Sequence, residues 1–448
     1  MQKILLINPP FYRLMGSHFN GMNLGLSYIA SVLAHNGHNV AIYNADYLDT
    51  NEYLNQRQIF NNYDNYKVVL NDLNNPLWKE IELKIRDSRP DVIGLTMLTA
   101  NYKVDKIIAG IAKKINKDIK IVVGGTHATI DPDNTLKNDE FDYLVRGEGE
   151  LTFLELVEGR DKKSIKGLSY KQNNKIIQNE KRPFIKDLDG LPFPSRDLFI
   201  NSTNYIDYGN VITGRGCPYT CVFCASQKIW ERKVRLRSPQ NVIEELKDLK
   251  NRFNPPIIYF IDDTFTLIKD RAKNICRKII EEKINIPWKC DTRVDKLDYE
   301  LVNLMKKAGC IRIKIGVETG SENMQNKIKK KLTLDKIREG VKIIKSVGLP
   351  LTVYLMAGFP GETNRDIKNT IEFAKEIDAD YYSLSIVAPY LGTEIYDEFI
   401  KSGNNINKEH WEYFYHQSKF MILNNNIDPE LIDEFLALNE RPGKGTRI

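Results

Sequence analysis

Three cysteines crowd into eight positions of the stretch GRGCPYTCVFCAS: Cys217, Cys221 and Cys224, half of the six in the chain. Such a triplet can serve as a disulfide framework, a zinc site, a set of buried core thiols or the cradle of a redox-active cluster. Zinc takes four ligands, usually as two CxxC-like pairs, and no fourth Cys or His lies near this loop. The other cysteines, Cys276, Cys290 and Cys310, are scattered over a predicted helix and strand edges, where a buried structural thiol is the expectation. Three thiolates spaced CxxxCxxC suit a 4Fe–4S cluster. Such a cluster wants four ligands, so three leave one iron open to a substrate or cofactor.

Composition narrows the choice. A chain of 448 residues is long enough for two or three domains, and its 42% apolar and 28% charged residues are ordinary for a soluble globular protein. No apolar run approaches the roughly 18–20 residues that span a bilayer. The opening ILLIN runs straight into Pro9 and Pro10, too short for the apolar core of a signal peptide. The expectation is a cytoplasmic protein with no membrane span and reduced thiols, which argues against disulfides. A net charge of +6, from 65 basic and 59 acidic residues, permits an anionic ligand without calling for nucleic acid. The densest basic run, NKIKKKLT (326–333), fits a solvated surface and a ligand contact equally well.

The elements that must position the cysteines follow from hydrophobic patterning. KILLIN (3–8), NVAIYN (39–44), DVIGLTML (91–98), KIVVGG (120–125) and DYLVRG (142–147) read as strands without polar alternation. That is the mark of a parallel sheet buried on both faces. Helical patterns at 26–37 and 104–116 separate them. Residues 1–150 are therefore expected to form an α/β domain with a doubly wound parallel sheet, whose ligands bind at the carboxyl ends of its strands. Residues 50–80, rich in Asn and Tyr, read as an insertion. Residues 151–205 show no sustained period, end in LDGLPFPSRDLF and read as a linker. Alternation then resumes with strand candidates at 210–214, 256–262, 287–293, 311–319, 351–359 and 381–389. Six β/α units over 206–390 fit a partial (β/α)6 barrel, and Ser238–Pro239 opens one of its helices as cap and first residue. The cysteine loop follows the first barrel strand directly. Residues 391–448 read as a short helical region. Within it, 407–420 is taken as a helix packing Trp411 and Phe414 on the barrel, and the tail ERPGKGTRI as mobile.

With its cysteines in that place, the sequence resembles the radical S-adenosylmethionine (SAM) enzymes. The match is CxxxCxxC with an aromatic, Phe223, before the last cysteine, at the end of strand one of a partial barrel. It extends over 210–390, where FIDDTF (260–265), CDTRVD (290–295), IGVETGSE (315–322) and MAGFPGET (356–363) resemble the family's second to fifth strand ends. The resemblance implies that Cys217, Cys221 and Cys224 hold a 4Fe–4S cluster with SAM on its open iron. It further implies that Phe223 lies near the adenine, that Arg293 and Glu318 hold the ribose and methionine ends, and that Lys330 partners the carboxylate. One electron, from a donor such as a flavodoxin or ferredoxin, would cleave SAM to a 5′-deoxyadenosyl radical that takes hydrogen from an unactivated carbon.

The N-terminal sheet carries a second resemblance. No GxGxxG follows the first strand and no GxxxxGK[ST] occurs anywhere, so dinucleotide and P-loop readings fail. Thr96-Met97-Leu98 ends the third strand and Gly124–Gly125 the fourth. This resembles the SxL…GG signature of cobalamin-binding domains, with Thr96 in place of Ser. There a hydroxyl lines the slot for the nucleotide tail and paired glycines leave it room. GGTHAT and VRGEGE also resemble segments of the cobalamin-binding radical SAM subfamily, which implies Thr96, Leu98, Gly124, Gly125, Thr126 and His127 as cobalamin contacts. The DxHxxG motif whose His ligates cobalt is absent. His18, in the loop after the first strand, lacks an Asp partner, and cobalt is expected without a protein His.

Together the resemblances imply a cobalamin-dependent radical SAM methyltransferase. One SAM would supply the methyl group through methylcobalamin and a second the radical, methylating an unactivated carbon of a small molecule or peptide. A cyclisation or rearrangement without net methyl transfer uses the same cofactors. A methylthiotransferase would want a second three-cysteine set, and residues 1–216 contain no cysteine. A corrinoid or electron carrier would need no open iron and usually has a fourth thiolate.

Overall fold

The computed structural model describes residues 1–201, 204–404, 406–417 and 427–440. The chain divides into two compact units. One comprises Met1–Leu54, Asn61–Asp207 and Ile400–Phe414, the other Asn55–Phe60, Tyr208–Phe399 and Tyr415–Ile448.

The first unit is built on β1 (Lys3–Asn8), β2 (Asn39–Asn44), β3 (Val92–Thr96), β4 (Lys120–Gly124), β5 (Tyr143–Val145), β6 (Leu168–Gln172) and β7 (Lys175–Gln178), in the order β2-β1-β3-β4-β5-β6-β7. The first five run parallel. Their apolar runs are buried because helices such as Leu24–His35 and Tyr102–Ile115 pack on the sheet. Asn23 opens the first of these helices by accepting from the Leu26 amide at 3.1 Å. The strand order reverses between β1 and β3, the switch point beside which doubly wound sheets bind ligands. Asp46 pins the loop that leaves β1 there, accepting from the Phe11 amide at 2.9 Å and the Arg13 amide at 2.8 Å. Residues 50–88 hold three helices, Gln56–Asn61, Tyr63–Asn71 and Pro76–Ser88.

Two expectations differ from the structure. The stretch 151–205, read as a linker, contains most of helix Glu150–Val157 and both β6 and β7, which extend the sheet antiparallel. Trp411 and Phe414, read as barrel packing on a helix, belong to the first unit. They lie in and beside a single 3-10 turn, Trp411–Tyr413, with the Trp411 ring 5.2 Å from that of His127. Residues 418–420 of that predicted helix, and the tail beyond Glu440, lie outside the described residues.

The second unit follows the expected alternation. β8 (Asn210–Val211) is followed by β9 (Gly214–Arg215), which pairs antiparallel with β10 (Arg235–Leu236). Then come β11 (Ile258–Phe260), β12 (Trp288–Thr292), β13 (Cys310–Glu318), β14 (Leu351–Ala357) and β15 (Tyr381–Ile386). Six of these form one parallel sheet in sequential order, β15-β14-β13-β12-β11-β8, with β15 and β8 as its edge strands, the order of an open (β/α)6 barrel. Polar caps start most of the intervening helices. Ser238 accepts from the Asn241 amide at 3.1 Å, Asp298 from Leu301 at 2.9 Å, and Thr363 forms a reciprocal capping box with Asp366. One strand face, with Cys290, Ile313, Ile315, Val353 and Leu355, packs into the helix-covered core. After β15 the regular helices are Glu394–Lys401 and Pro429–Ala437. Among the described residues no helix is long and apolar enough to cross a membrane.

Candidate active site

β9 leads straight into the cysteine loop. Gly216 turns the chain at φ +94°, so close to the Lys233 carbonyl that a Cβ would collide with it. Asp262, just after β11, anchors the root of the loop. It accepts from the Thr213 amide at 3.0 Å and the Thr213 hydroxyl at 2.8 Å, and burial pushes its carboxyl up to about 6. Arg271 completes the anchor by donating to the Thr213 carbonyl at 2.7 Å. Farther along, the Val222 amide donates to the Ile328 carbonyl at 3.2 Å. Phe223 meets Phe359 edge-on with ring centroids 6.0 Å apart.

Cys217, Cys221 and Cys224 are free and partly buried, whereas Cys276, Cys290 and Cys310 sit in the core as predicted. Burial pushes all three loop thiols up, Cys224 to about 12, while Lys330 and Arg293 pull Cys221 the other way. Thiolates here therefore call for a compensating cation. Among the described residues no three His, Cys, Asp or Glu side chains converge on one metal ion, and a polynuclear cluster holds its cysteines farther apart than one ion does. The donor set, three reduced thiols on one short loop, fits a 4Fe–4S cluster.

Glu318, Lys330 and Arg293 come together beside this loop. The pairing of β13 with β14 shifts register between Gly316 and Glu318, and Glu318 stands at φ +69°, uncommon for a residue with a Cβ. Gln325 supports the irregularity by donating to the Val317 carbonyl at 2.8 Å and the Thr319 carbonyl at 2.7 Å. Glu318 and Lys330 form a buried ion pair, and a Cβ at Gly316 would strike both side chains. Arg293 donates to the Lys330 carbonyl at 3.1 Å and the Asp295 carboxylate at 3.0 Å. Its guanidinium lies over Tyr219, 3.7 Å from the ring centroid. Tyr219 belongs to CPYTC, so this stack ties the cysteine loop to the end of β12. Sequence reasoning missed Tyr219 and Gln325. The position of Tyr219 between Cys217 and Cys221 was the available signal.

In MAGFPGET, Glu362 closes the glycine loop by accepting from the Gly358 amide at 2.6 Å and the Phe359 amide at 3.0 Å, and burial pushes it up to about 7. The sheet face turned away from the helices is polar, because Lys289-x-Asp291 and Arg312-x-Lys314 alternate with core residues. Asp291 accepts from the hydroxyls of Tyr259 and, at 2.8 Å, Tyr354. Lys314 donates to the Tyr259 hydroxyl at 3.0 Å, and burial pulls its amine down to about 8. This network also escaped sequence reasoning, although the strand alternation carried its signal.

In the first unit the β3–β4 register sets Thr96 opposite Gly124, so the two halves of the glycine signature are neighbours. Thr96, Gly124 and Gly125 are half-buried, Thr126 is exposed, and Leu98 is 53% exposed at the strand end. The two glycines differ. Gly125 has φ +99° and would place a Cβ 2.8 Å from the Met97 carbonyl oxygen, so the backbone itself demands glycine. A Cβ at Gly124 would meet nothing nearer than the Val145 carbonyl at 3.6 Å. Gly124 thus leaves a notch that a larger side chain would fill, the fit asked of a cofactor tail.

His127 is set apart from the other five residues. Its ring is fully buried between Tyr102 and Trp411, each centroid 5.2 Å away, with Nδ1 3.2 Å from the Thr99 hydroxyl. Burial pulls its pKa down to about 4, leaving a neutral imidazole that braces the loop from behind. His18 is also buried, stacked on Tyr53 at 4.1 Å.

Residues 211–374 match the family model of the radical SAM superfamily, and residues 17–157 match that of the B12 binding domain. An "uncharacterized methyltransferase" of Pyrococcus horikoshii is 35% identical over 418 residues, spanning 91% of this chain and 84% of its own. The chain belongs to the cobalamin-dependent radical SAM family. Such an enzyme works with a 4Fe–4S cluster, SAM and cobalamin, and needs a reductant and a substrate. Other members of the family point in more than one direction. The anaerobic magnesium-protoporphyrin IX monomethyl ester cyclase of Rubrivivax gelatinosus is 28% identical over 74% of this chain and 61% of its own. The radical SAM methyltransferase TsrM of Kitasatospora setae, solved with tryptophan and a SAM analogue, shares the fold with a TM-score of 0.70 at 17% identity. That match covers 91% of this chain and 78% of TsrM.

Proposed function

We propose that this enzyme is a radical C-methyltransferase acting on an unactivated carbon. The observation that carries the reading is the pairing, in one chain, of the Gly124 notch with the cysteine loop and its Glu318–Lys330–Arg293 constellation. Its extension over nearly the whole length of a methyltransferase-named relative favours methyl transfer. In this reading Cys217, Cys221 and Cys224 hold the cluster. The buried Glu318–Lys330 pair and Arg293 meet SAM, whose ammonium, hydroxyls and carboxylate they complement in charge, and Phe223 packs against the adenine. Thr96, Leu98, Gly124, Gly125 and Thr126 line the cobalamin tail, with His127 bracing them through Thr99. When bound, the cofactors supply a hydrogen-abstracting radical and a methyl group. The polar strand face with Lys314 and Asp291 offers the substrate hydrogen-bonding groups in the barrel.

Cyclisation without methyl transfer is the second reading, favoured by the cyclase relatives. Anaerobic turnover separates the two. Methyl transfer produces S-adenosylhomocysteine and 5′-deoxyadenosine in equal amounts, whereas cyclisation produces 5′-deoxyadenosine without S-adenosylhomocysteine.

A further inference from the structure

The basic run at 327–331 finds a second half in the structure. Residues 226–236 carry four basic side chains and one acidic, and residues 327–331 carry four basic and none acidic. The two segments thus hold a net +7 in a chain of net +6, and the remaining residues sum to −1. Both segments touch the cysteine loop. β10 pairs with β9 at its root, Arg232 donates to the Pro218 carbonyl at 3.2 Å, and the Ile328 carbonyl accepts from Val222 at 3.2 Å. Lys228, Arg232, Lys233, Lys327, Lys329 and Lys331 are exposed. Lys233 pairs with Glu231 and Lys329 with Glu394, while the other four have no ion-pair partner among the described residues. Lys330 alone turns inward, to Glu318.

We propose that this two-sided basic face is the docking surface of an acidic one-electron carrier protein. The proposal rests on the assignment of the cluster to Cys217, Cys221 and Cys224. Reductive cleavage takes one electron from outside the chain, and the carrier must come close to the cluster to deliver it. Redox encounters are small and transient, below about 1,200 Å². They gain their rate and register from complementary charge more than from buried area. Lysines without ion-pair partners, Lys228, Lys327 and Lys331, frame the cysteine loop and supply that charge; of these, Lys327 also donates to the Gly361 carbonyl at 3.1 Å.

The test uses holoenzyme with its cluster and cobalamin, a bacterial flavodoxin as probe, and the variant K228E/K327E/K331E. Its affinity for flavodoxin should fall at least tenfold, and the steep salt dependence of the wild type should flatten. Flavodoxin-driven formation of 5′-deoxyadenosine should fall with it, while formation driven by dithionite stays at the wild-type rate. The milder K228Q/K327Q/K331Q protein should lie between, which guards against misfolding in the reversal variant. Undiminished flavodoxin binding by the variant would overturn the proposal, as would a wild type that binds neither flavodoxin nor a ferredoxin. Equal loss with dithionite would overturn it too, by giving the face to an anionic substrate or to SAM. Iron content and dithionite-driven cleavage of the wild type check the cluster assignment separately.

Discussion

Cys224 illustrates what a single residue contributes and costs. A thiol pushed up to about 12 by burial is protonated at neutral pH, so each of the proposed cluster ligands must lose a proton as metal enters. Thiolate grows as pH rises, and reconstitution of the apoprotein should therefore quicken from about pH 7 to about pH 9. Iodoacetamide should label the three loop cysteines more slowly than a free cysteine, and equal rates at neutral pH would contradict the burial argument. Cys217→Ala, Cys221→Ala and Cys224→Ala should each abolish SAM cleavage, while alanine at Cys276, Cys290 or Cys310 costs only stability. Glu318→Gln removes half of a buried ion pair. Stranding Lys330 should cost about 3–5 kcal/mol of stability, and the lost contact should weaken SAM binding about 30-fold or more. Arg293→Ala should weaken SAM binding with iron content intact. Wild-type SAM affinity in both variants would show that these side chains serve only each other.

At the scale of elements, the two glycines of the β4 turn make opposite predictions. Gly125→Ala forces a Cβ at φ +99° against the Met97 carbonyl and should destabilise the fold by about 1–3 kcal/mol. Gly124→Val has room at its Cβ, so melting should shift little while bound corrinoid, read from its visible absorption, is lost. If Gly124→Val retains corrinoid, the notch is not the tail slot. Trp411→Ala should cost about 3–5 kcal/mol, felt in the first unit through His127. Pattern reading placed β1 to β5 and the barrel strands because each buries a contiguous or alternating apolar run. It passed over β6 and β7, which are short and half polar, although Asn173–Asn174 marks their hairpin with two positive φ values. Trp411 was misplaced for another reason. Its contact with His127 spans nearly three hundred residues of sequence, and no local period reports such a distance. The Glu318–Lys330 pair was legible only as motif positions, since it takes the turn after β13 to bring residues twelve apart together.

At the scale of the whole molecule, two α/β units with different strand orders carry two sets of cofactor-fitting residues, which the proposed reaction uses together. A radical site alone abstracts hydrogen, and a corrinoid site alone carries a methyl group; net methylation of an inert carbon needs both. Removing either should then leave a diagnostic remainder. The Gly124→Val protein should still cleave SAM to 5′-deoxyadenosine without methylating anything. The Cys221→Ala protein should hold corrinoid and form no 5′-deoxyadenosine. The most direct measurement follows the methyl group itself, using SAM deuterated at its methyl in anaerobic turnover and mass spectrometry of the product. The expected product carries the intact trideuteromethyl group on carbon, with one S-adenosylhomocysteine and one 5′-deoxyadenosine formed for each. A product formed alongside 5′-deoxyadenosine but without the label would contradict it.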